Sequence, residues 1–521
     1  MRLSRWLALW VVVAALAPEA LAGKWVWTPD TGWQDINKLP RETPKQRYNY
    51  AVALATDGKF ESALATFEEL LKPPKSDVTE GCLYYAGFCR QHMRDYWQAY
   101  KVVEDLFRSY PETKFKEAAL RTELAAGKEM AHAGSHWALE VLEAVVRRDP
   151  EGLLGAEAQL EIGHCHFARG RYPEARSAYQ TMVTKFRKSP YTESAAFRRA
   201  ESDVKMVQLR PKDAAALGSA KADLKEYLAQ YPKGQWAEQA ADYVEAVQKL
   251  AEAKDADTVE FYRALLDHYQ GRYSEICGRF KRLAWRLRGS ELGEQSQFYY
   301  ADCLGRMGDT YGAIKAFEKM FAKYGTGMMA RRAVDREFAL SKEMMKTNRD
   351  KAIWAFGRVV ANEPTGPLAA DAQTLMADLY LEQKDIWNAK TSYQTVLTAY
   401  PDSAWCPKAL FRVGLCALKE ARAVNVPSTY LNEAQDKLED YLSRYPEGAD
   451  VEEVKGKIGE VKEMKAQVAY ETGMWYLGRG KREAAVIYFV SVLREFPETK
   501  WAGEARKAVT KLKPEALSEG S

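Results

Sequence analysis

The amino-acid sequence predicts an all-helical protein, a right-handed superhelical solenoid of about eleven helical hairpins with no β-sheet. Three observations support this prediction. Apolar residues recur three and four positions apart, as amphipathic helices require. A fixed constellation of a small residue, an alanine, a bulky apolar residue and a proline recurs along the 521 residues. The spacing of that constellation is itself repeated, which indicates that a block of hairpins was duplicated.

The recurring constellation describes one hairpin. Gly or Ala lets two helix backbones approach closely where they cross, and the bulky side chain fills the space beside the crossing. Pro ends the second helix, because it lacks the amide donor of the helical ladder. Three instances are Gly87, Ala99, Val103 and Pro111; Ala377, Ala389, Tyr393 and Pro401; and Gly473, Ala485, Phe489 and Pro497.

The spacing of the unit ends predicts the duplication. The ends fall at positions 75, 111, 150, 187, 232, 288, 325, 364, 401, 446 and 497. Their successive separations are 36, 39, 37, 45 and 56, and then 37, 39, 37, 45 and 51. A block of five hairpins is therefore present twice, and the shift that carries position 150 to 364 also carries Tyr179 to Tyr393 and Tyr231 to Tyr445. The eleventh hairpin is left to cap the end of the solenoid.

An export signal precedes the repeats. Arg2 and Arg5 come before the apolar run 6–17, which is followed by Pro18 and the small residues of a cleavage site ending at Ala22. The run is too short to cross a bilayer, so the expected product is an exported protein with at most peripheral membrane association.

These patterns predict the following organisation. The boundary between the two blocks lies near 252–256, inside the charged run 249–257, which is predicted to be a long solvated helix or a hinge. The segments are a signal peptide at 1–22, a Trp-rich tail at 23–42, a first block at 43–252, a second block at 256–465, a capping repeat at 466–513 and a flexible tail at 514–521.

The constellation resembles the tetratricopeptide repeat, over roughly residues 43–511. The unit endings Tyr-Pro-Glu-Thr-Lys-Phe at 110–115, Tyr-Pro-Asp-Ser-Ala-Trp at 400–405 and Phe-Pro-Glu-Thr-Lys-Trp at 496–501, with the five-unit block, are similar to the BamD (YfiO) family of outer-membrane assembly lipoproteins. They also resemble periplasmic repeat proteins of the Tol-Pal system. Lys24 stands where the lipoprotein signal would have Cys, so the lipid anchor of the family is not expected here.

The resemblance implies a non-catalytic scaffold in the periplasm or on the periplasmic face of the outer membrane. Its partners would be proteins or peptide segments of the cell envelope, in outer-membrane protein assembly or envelope organisation. A Tol-Pal-type adaptor is one alternative. Another is an enzyme whose site is assembled in the groove, where Glu161, His164 and His166 would be the acid and base groups.

Several classes of function are not supported by the sequence. The 76 basic and 72 acidic residues are nearly balanced, which disfavours nucleic-acid binding through bulk charge. The sequence has no phosphate loop, nucleophile elbow or zinc-binding cysteine pair, so no catalytic residue, cofactor or metal is predicted. His132 and His136 flank Gly134 at a predicted turn and are not expected to share a helical face.

The seven cysteines follow the repeat register more closely than a disulfide pattern. Four of them fall two residues after the small residue of a first helix, at positions too far apart in a solenoid to be bridged. They are expected to be buried thiols, with a pairing that involves Cys82, Cys277 or Cys406 as the alternative. The four are Cys89, Cys165, Cys303 and Cys416.

An aromatic residue recurs three positions before the small residue of the first helix. One interpretation is a ladder of rings along a concave groove that receives apolar side chains of a peptide. The other is packing between neighbouring hairpins. A separate cluster, Trp25, Trp27 and Trp33, is interpreted as a tail over the first hairpin, with a partner-docking segment as the alternative. The groove candidates are Tyr84, Phe197, Phe261, Phe298, Phe411 and Tyr470.

Overall fold

The computed structural model describes residues 25–28, 32–35, 39, 41–423 and 428–514. These residues form 24 α-helices and one two-stranded hairpin, which confirms the predicted helical solenoid. The chain divides after Tyr269 into two compact units. The predicted signal peptide and most of the C-terminal tail lie outside the described residues.

Unit 1 contains the strands and the first twelve helices. They are β1 Trp25–Thr28, β2 Gly32–Asp35, α1 Pro44–Thr56, α2 Phe60–Leu70, α3 Thr79–His92, α4 Tyr96–Ser109, α5 Lys116–His132, α6 Ala138–Arg148, α7 Leu153–Ala168, α8 Tyr172–Lys185, α9 Thr192–Leu209, α10 Ala214–Gln230, α11 Ala237–Glu252 and α12 Ala256–Tyr269.

Unit 2 contains the remaining twelve helices. They are α13 Tyr273–Arg286, α14 Glu291–Arg306, α15 Thr310–Tyr324, α16 Ala330–Met345, α17 Arg349–Asn362, α18 Ala369–Glu382, α19 Ile386–Ala399, α20 Cys406–Ala423, α21 Ser428–Arg444, α22 Val451–Gly478, α23 Arg482–Glu495 and α24 Lys500–Leu512.

Consecutive helices pack as hairpins within each unit. Unit 1 begins with five hairpins, α1/α2 to α9/α10, and unit 2 has five more, α14/α15 to α22/α23. The sixth predicted hairpin is divided, because α12 belongs to unit 1 and α13 to unit 2. Second helices end at the predicted places: α4, α10, α19 and α23 stop directly before the aromatic residue of an aromatic-Pro pair.

The close helix crossing predicted for each hairpin is present. A Cβ atom added to Gly87 would lie 2.7 Å from Val103 Cγ2, and one added to Gly473 would lie 2.6 Å from Phe489 Cε1. At Gly163 the distance to Tyr179 Cε1 would be 2.4 Å. These distances are below van der Waals contact, so a methyl group added at these three glycines would force the facing side chain or the helix to shift.

The charged run 249–257 is a helix break in unit 1, not one long helix. α11 ends at Glu252 and α12 begins at Ala256. α12 then packs on α11 and α9, where the Gln208 side-chain amide donates to Asp267 over 3.0 Å. These contacts place α12 in unit 1. The two compact units therefore meet after Tyr269, one helix later in the chain than the boundary between repeat blocks expected at 252–256.

The second copy lacks this break. Its last interval, from 446 to 497, is shorter than the corresponding interval from 232 to 288. The helices that correspond to α11 and α12 are continuous in the 28-residue α22, so the break accounts for the difference in spacing. Leu265 and Leu266 of α12 are buried, whereas their counterparts Met474 and Trp475 on α22 are 44% and 52% exposed.

The Trp-rich tail differs from the expectation of a chain without a sheet. β1 and β2 pair antiparallel, with Trp27 opposite Trp33 and Val26 opposite Gln34. Aromatic and β-branched residues favour strands, and the intervening Pro29 and Asp30 are turn-favouring residue types. β1 contacts α1, in agreement with a tail that packs over the first hairpin.

A buried glutamate occupies the same place in both copies but has different partners. In unit 1 both carboxylate oxygens of Glu123 accept from Arg148, at 2.7 and 2.8 Å. In unit 2 the equivalent Glu337 accepts from the neutral Asn362 amide over 2.8 Å. Among the described residues Glu337 Oε1 has no hydrogen-bond partner, and burial raises the pKa of Glu337 to about 8. Burial also raises the pKa of Glu123 to about 8, although Arg148 acts to lower it.

The helix crossing generates a prediction about glycine substitutions. Gly163→Ala should lower the free energy of unfolding by about 1–3 kcal/mol, because its methyl group would overlap the buried Tyr179 ring. Gly218→Ala is the matched control, since Gly218 lies in helix α10 with no atom within 4 Å of an added Cβ. The control should raise stability by up to about 1 kcal/mol through helix propensity. Denaturant unfolding measures both, and equal effects would contradict the close crossing.

The buried Glu337 carboxyl group should make the stability of the protein depend on pH. Folded Glu337 keeps its proton up to about pH 8, whereas the unfolded chain releases it near 4.5, so its contribution to stability falls as pH rises between those values. Glu337→Gln removes this loss. The variant should therefore unfold at a higher temperature than wild type at pH 8, and the difference should shrink towards pH 5.

Glu123→Gln is the control for that experiment. It removes the charge of one of the two carboxylates that bind Arg148, while Glu104 remains as a partner, and should destabilise the protein at pH 8 by about 1–3 kcal/mol. Scanning calorimetry at the two pH values measures both variants. A destabilised Glu337→Gln variant at pH 8 would show that Glu337 is ionised and paired.

Candidate functional site

Four of the six predicted groove rings are buried. Phe197, Phe261, Phe298 and Phe411 are at most 5% exposed, so they cannot receive a peptide side chain in this conformation. Their burial favours packing between hairpins over a groove at these four positions. Tyr84 and Tyr470 are partly exposed.

The aromatic residues at this recurring position contact the hairpin that follows. The Phe197 ring stacks on Trp236, directly before α11, with centroids 5.3 Å apart and planes 9° apart. Tyr84 stacks in the same way on Phe115, directly before α5, at 4.8 Å and 9°. Tyr470 lies 5.2 Å from Trp501 at the start of α24. A ring on one first helix therefore packs against the beginning of the helix that opens the following unit.

A glutamate four residues before the ring also contacts the start of the next first helix, and we call this pair of contacts the joint between hairpins. The sequence analysis did not predict this glutamate. Its carboxylate accepts from the free backbone amides that precede or begin the next first helix. Glu80 accepts from the Thr113 hydroxyl at 2.7 Å and the Lys114 amide at 3.1 Å. Glu193 accepts from the Gln235 amide at 2.8 Å, and Glu294 from the Met329 amide at 2.7 Å. The signal was a glutamate at the same distance from Tyr84, Phe197 and Phe298.

The partly exposed Tyr84 belongs to a stripe of rings on α3. Tyr84, Phe88 and His92 lie four residues apart and share one helical face, which we call the α3 stripe. Tyr84 and Phe88 are half-buried and His92 is exposed. The His92 and Phe88 ring centroids are 4.2 Å apart, and Phe60 of α2 lies 4.7 Å from His92. The stripe is a continuous apolar surface that crosses one hairpin.

The second copy has no equivalent apolar stripe. The corresponding residues are Phe298 and Asp302, which are buried, and Arg306, whose side chain is 49% exposed. Asp302 accepts from Arg336 over 2.5 Å and lies 3.5 Å from Arg306. The two copies therefore present different chemistry on the same helical face, apolar in unit 1 and charged in unit 2.

The half-buried rings of the α3 stripe offer apolar contact area. Burial raises the pKa of Tyr84 to about 12, and the neighbouring Tyr85 adds to this effect, so the phenol stays neutral at physiological pH. Each apolar side chain buried against such rings contributes about 1.5–3 kcal/mol before ordering is subtracted.

Glu161, His164 and His166, the alternative acid and base groups, all lie on helix α7. His164 Nδ1 lies 3.3 Å from Glu161 Oε2, and Lys128 of α5 lies 3.9 Å from the same carboxylate. Burial lowers the pKa of His166, which disfavours its charged form. Within the described parts of the chain, no three His, Cys, Asp or Glu residues are grouped as metal ligands would be.

The cysteines are free thiols. Cys89, Cys165, Cys303 and Cys416 are buried, which confirms the packing role predicted from their register. Cys82 and Cys406 are also buried, Cys277 is half-buried, and none of these three forms a disulfide.

The solved structures to which the chain is similar include the APC/C hetero-tetramer Cut9-Hcn1 and the P58(IPK) TPR domain. The APC/C hetero-tetramer Cut9-Hcn1 is 12% identical, with a TM-score of 0.22 over 91% of this chain and 98% of that chain. The P58(IPK) TPR domain is 13% identical, with a TM-score of 0.22 over 81% of this chain and 99% of that chain. None of the curated proteins compared matches the chain.

Two family models match the sequence. A tetratricopeptide-repeat model matches residues 295–326, which correspond to the α14/α15 hairpin. The model of the YfiO outer membrane lipoproteins matches residues 124–283 and again 338–515, together more than half of the chain. The starts of the two matches, 124 and 338, are related by the shift of the duplicated block. The chain therefore belongs to the YfiO outer membrane lipoprotein family.

Proposed function

We propose that the chain is a non-catalytic scaffold that binds protein partners in the cell envelope, in the assembly of outer-membrane proteins. The observation that carries this proposal is the double match to the YfiO family, with one match beginning in each copy. A periplasmic location agrees with the family description and with the export signal predicted at 1–22. No helix of the described residues is long and apolar enough to cross a membrane.

The α3 stripe is the proposed receptor for apolar segments of those partners. Its rings are partly exposed, and they lie close enough to one another to contact successive side chains of one peptide. Of the other groove candidates, Tyr470 is the second partly exposed ring and is proposed as a minor contact. The buried rings maintain the joints between hairpins.

The size of the stripe limits the affinity. Two or three engaged rings would contribute several kcal/mol, and a flexible peptide loses much of that contribution when it becomes ordered. The proposal therefore expects weak to micromolar binding, which allows a scaffold to release its clients.

Affinity isolation of the tagged protein from its native envelope tests the proposal. Tyr84→Ala combined with Phe88→Ala should reduce the recovery of outer-membrane protein assembly components by about tenfold, the effect of losing about 1.4 kcal/mol. His92→Glu should act in the same direction without disturbing the fold, because His92 is exposed.

Trp285→Ala is the matched control, since Trp285 is 70% exposed and lies on α13 of unit 2. It should leave recovery unchanged. If the stripe variants keep their helical content and still recover every partner, the stripe is not the receptor. If the wild-type protein recovers no assembly component, the proposed function is wrong.

A further inference from the structure

Two exposed clusters of rings and lysines recur at equivalent places in the two copies. Met93, Trp97 and Lys101 correspond, at the shift of the duplicated block, to Met307, Tyr311 and Lys315. A second ring from the next hairpin completes each cluster. We define patch 1 as Met93, Trp97, Lys101 and Trp137, and patch 2 as Met307, Tyr311, Lys315, Lys351 and Trp354.

Patch 1 lies at the start of two second helices of unit 1. Trp97 is the second residue of α4, and Trp137 directly precedes α6. Their ring centroids are 4.8 Å apart. Trp137 is 44% exposed and Met93 is 37% exposed, while the Lys101 Nζ lies 5.3 Å from the Trp97 ring.

Patch 2 has the same construction in unit 2. Tyr311, the second residue of α15, is 41% exposed, and its ring centroid lies 5.2 Å from that of Trp354 on α17. The Lys315 Nζ is 4.7 Å from the Trp354 ring, and the Lys351 Nζ is 4.8 Å from the Tyr311 ring. Met307 is 44% exposed.

The copies retain the composition of the patch more closely than its geometry. The second ring is Trp137 in patch 1, but its counterpart in patch 2 is Lys351. The second ring of patch 2 is Trp354, whose counterpart in unit 1 is Glu140. A protein pocket requires rings at fixed positions, whereas a fluid surface requires only that rings and cations lie together.

The charge of the patches indicates an anionic surface. Lys101 and Lys351 are exposed, and within the described residues no carboxylate forms an ion pair with either of them, whereas Lys315 is paired with Glu318 over 3.0 Å. Lys is depleted at protein interfaces. Trp, Tyr and Lys together are characteristic of the boundary between lipid head groups and water.

We propose that patches 1 and 2 bind the surface of an anionic phospholipid bilayer, with the rings at head-group level and the lysines at the phosphates. Each lysine close to such a surface strengthens binding about fivefold. Each patch alone gives weak, reversible attachment, because it contributes few rings and cations. The inference does not depend on protein partners, since the variants below leave Tyr84, Phe88 and His92 unchanged.

Vesicle sedimentation of the purified full chain tests the proposal. The probes are vesicles of phosphatidylethanolamine with about 30% phosphatidylglycerol, and vesicles of phosphatidylcholine alone. Wild type should sediment with the anionic vesicles at low salt, at least tenfold less with the neutral ones, and less at high salt. Excess inorganic phosphate at low ionic strength should not compete.

The patch variant combines Trp137→Ala, Tyr311→Ala, Lys101→Glu and Lys351→Glu, which are all changes of exposed side chains. Its partition onto anionic vesicles should fall at least tenfold, with unchanged helical content. The control combines Trp387→Ala, Leu209→Ala, Lys225→Glu and Lys249→Glu, which change the same number of exposed apolar side chains and lysines elsewhere, at positions where, among the described residues, no ring carries a cation over its face. The control should bind like wild type.

The proposal is overturned if wild type does not sediment with anionic vesicles, or if the control loses as much binding as the patch variant. It is also overturned if inorganic phosphate abolishes binding, which would indicate a phosphate-ion site. A patch variant that keeps vesicle binding but loses an envelope protein would assign the patches to a protein partner instead.

Discussion

The close crossing of two helices within each hairpin is the constraint on which the rest of the structure depends. A glycine or alanine on the first helix lets a bulky residue of the second helix, such as Tyr179 or Phe489, lie directly against the backbone. That contact sets the orientation of the first helix. The orientation in turn brings the ring and the glutamate of the first helix to the start of the next unit. Stacking and amide capping then join consecutive hairpins.

The duplicated framework allowed the two copies to diverge wherever the crossing is not involved. The Glu123 carboxylate is paired with Arg148 in unit 1, and its counterpart Glu337 faces a neutral amide in unit 2. The α3 stripe is apolar in unit 1, and its counterpart carries an ion pair in unit 2. The break before α12 is absent from α22, which leaves Met474 and Trp475 exposed. The copies therefore share a framework and present different surfaces.

The sequence was sufficient to predict the hairpins, because small residues and aromatic-Pro pairs are tied to backbone geometry. It could not decide whether Phe197 or Phe298 lines a groove, because a ring at a given helical position is equally compatible with packing and with binding. The Phe197 ring stacks on Trp236, and the whole of helix α10 separates these two residues in the chain. The capping glutamates were missed for a similar reason, since glutamate is common on helices and its amide partners belong to another unit.

The central claim is that each hairpin depends mainly on its neighbours through these crossings and joints. Amide hydrogen exchange of the intact chain with Gly163→Val tests the claim most directly, because this substitution places a branched side chain in the α7/α8 crossing. The account predicts that protection is lost in α7, α8 and the adjacent hairpins of unit 1, while α14–α24 keep their wild-type protection. A uniform loss of protection along both units would contradict it.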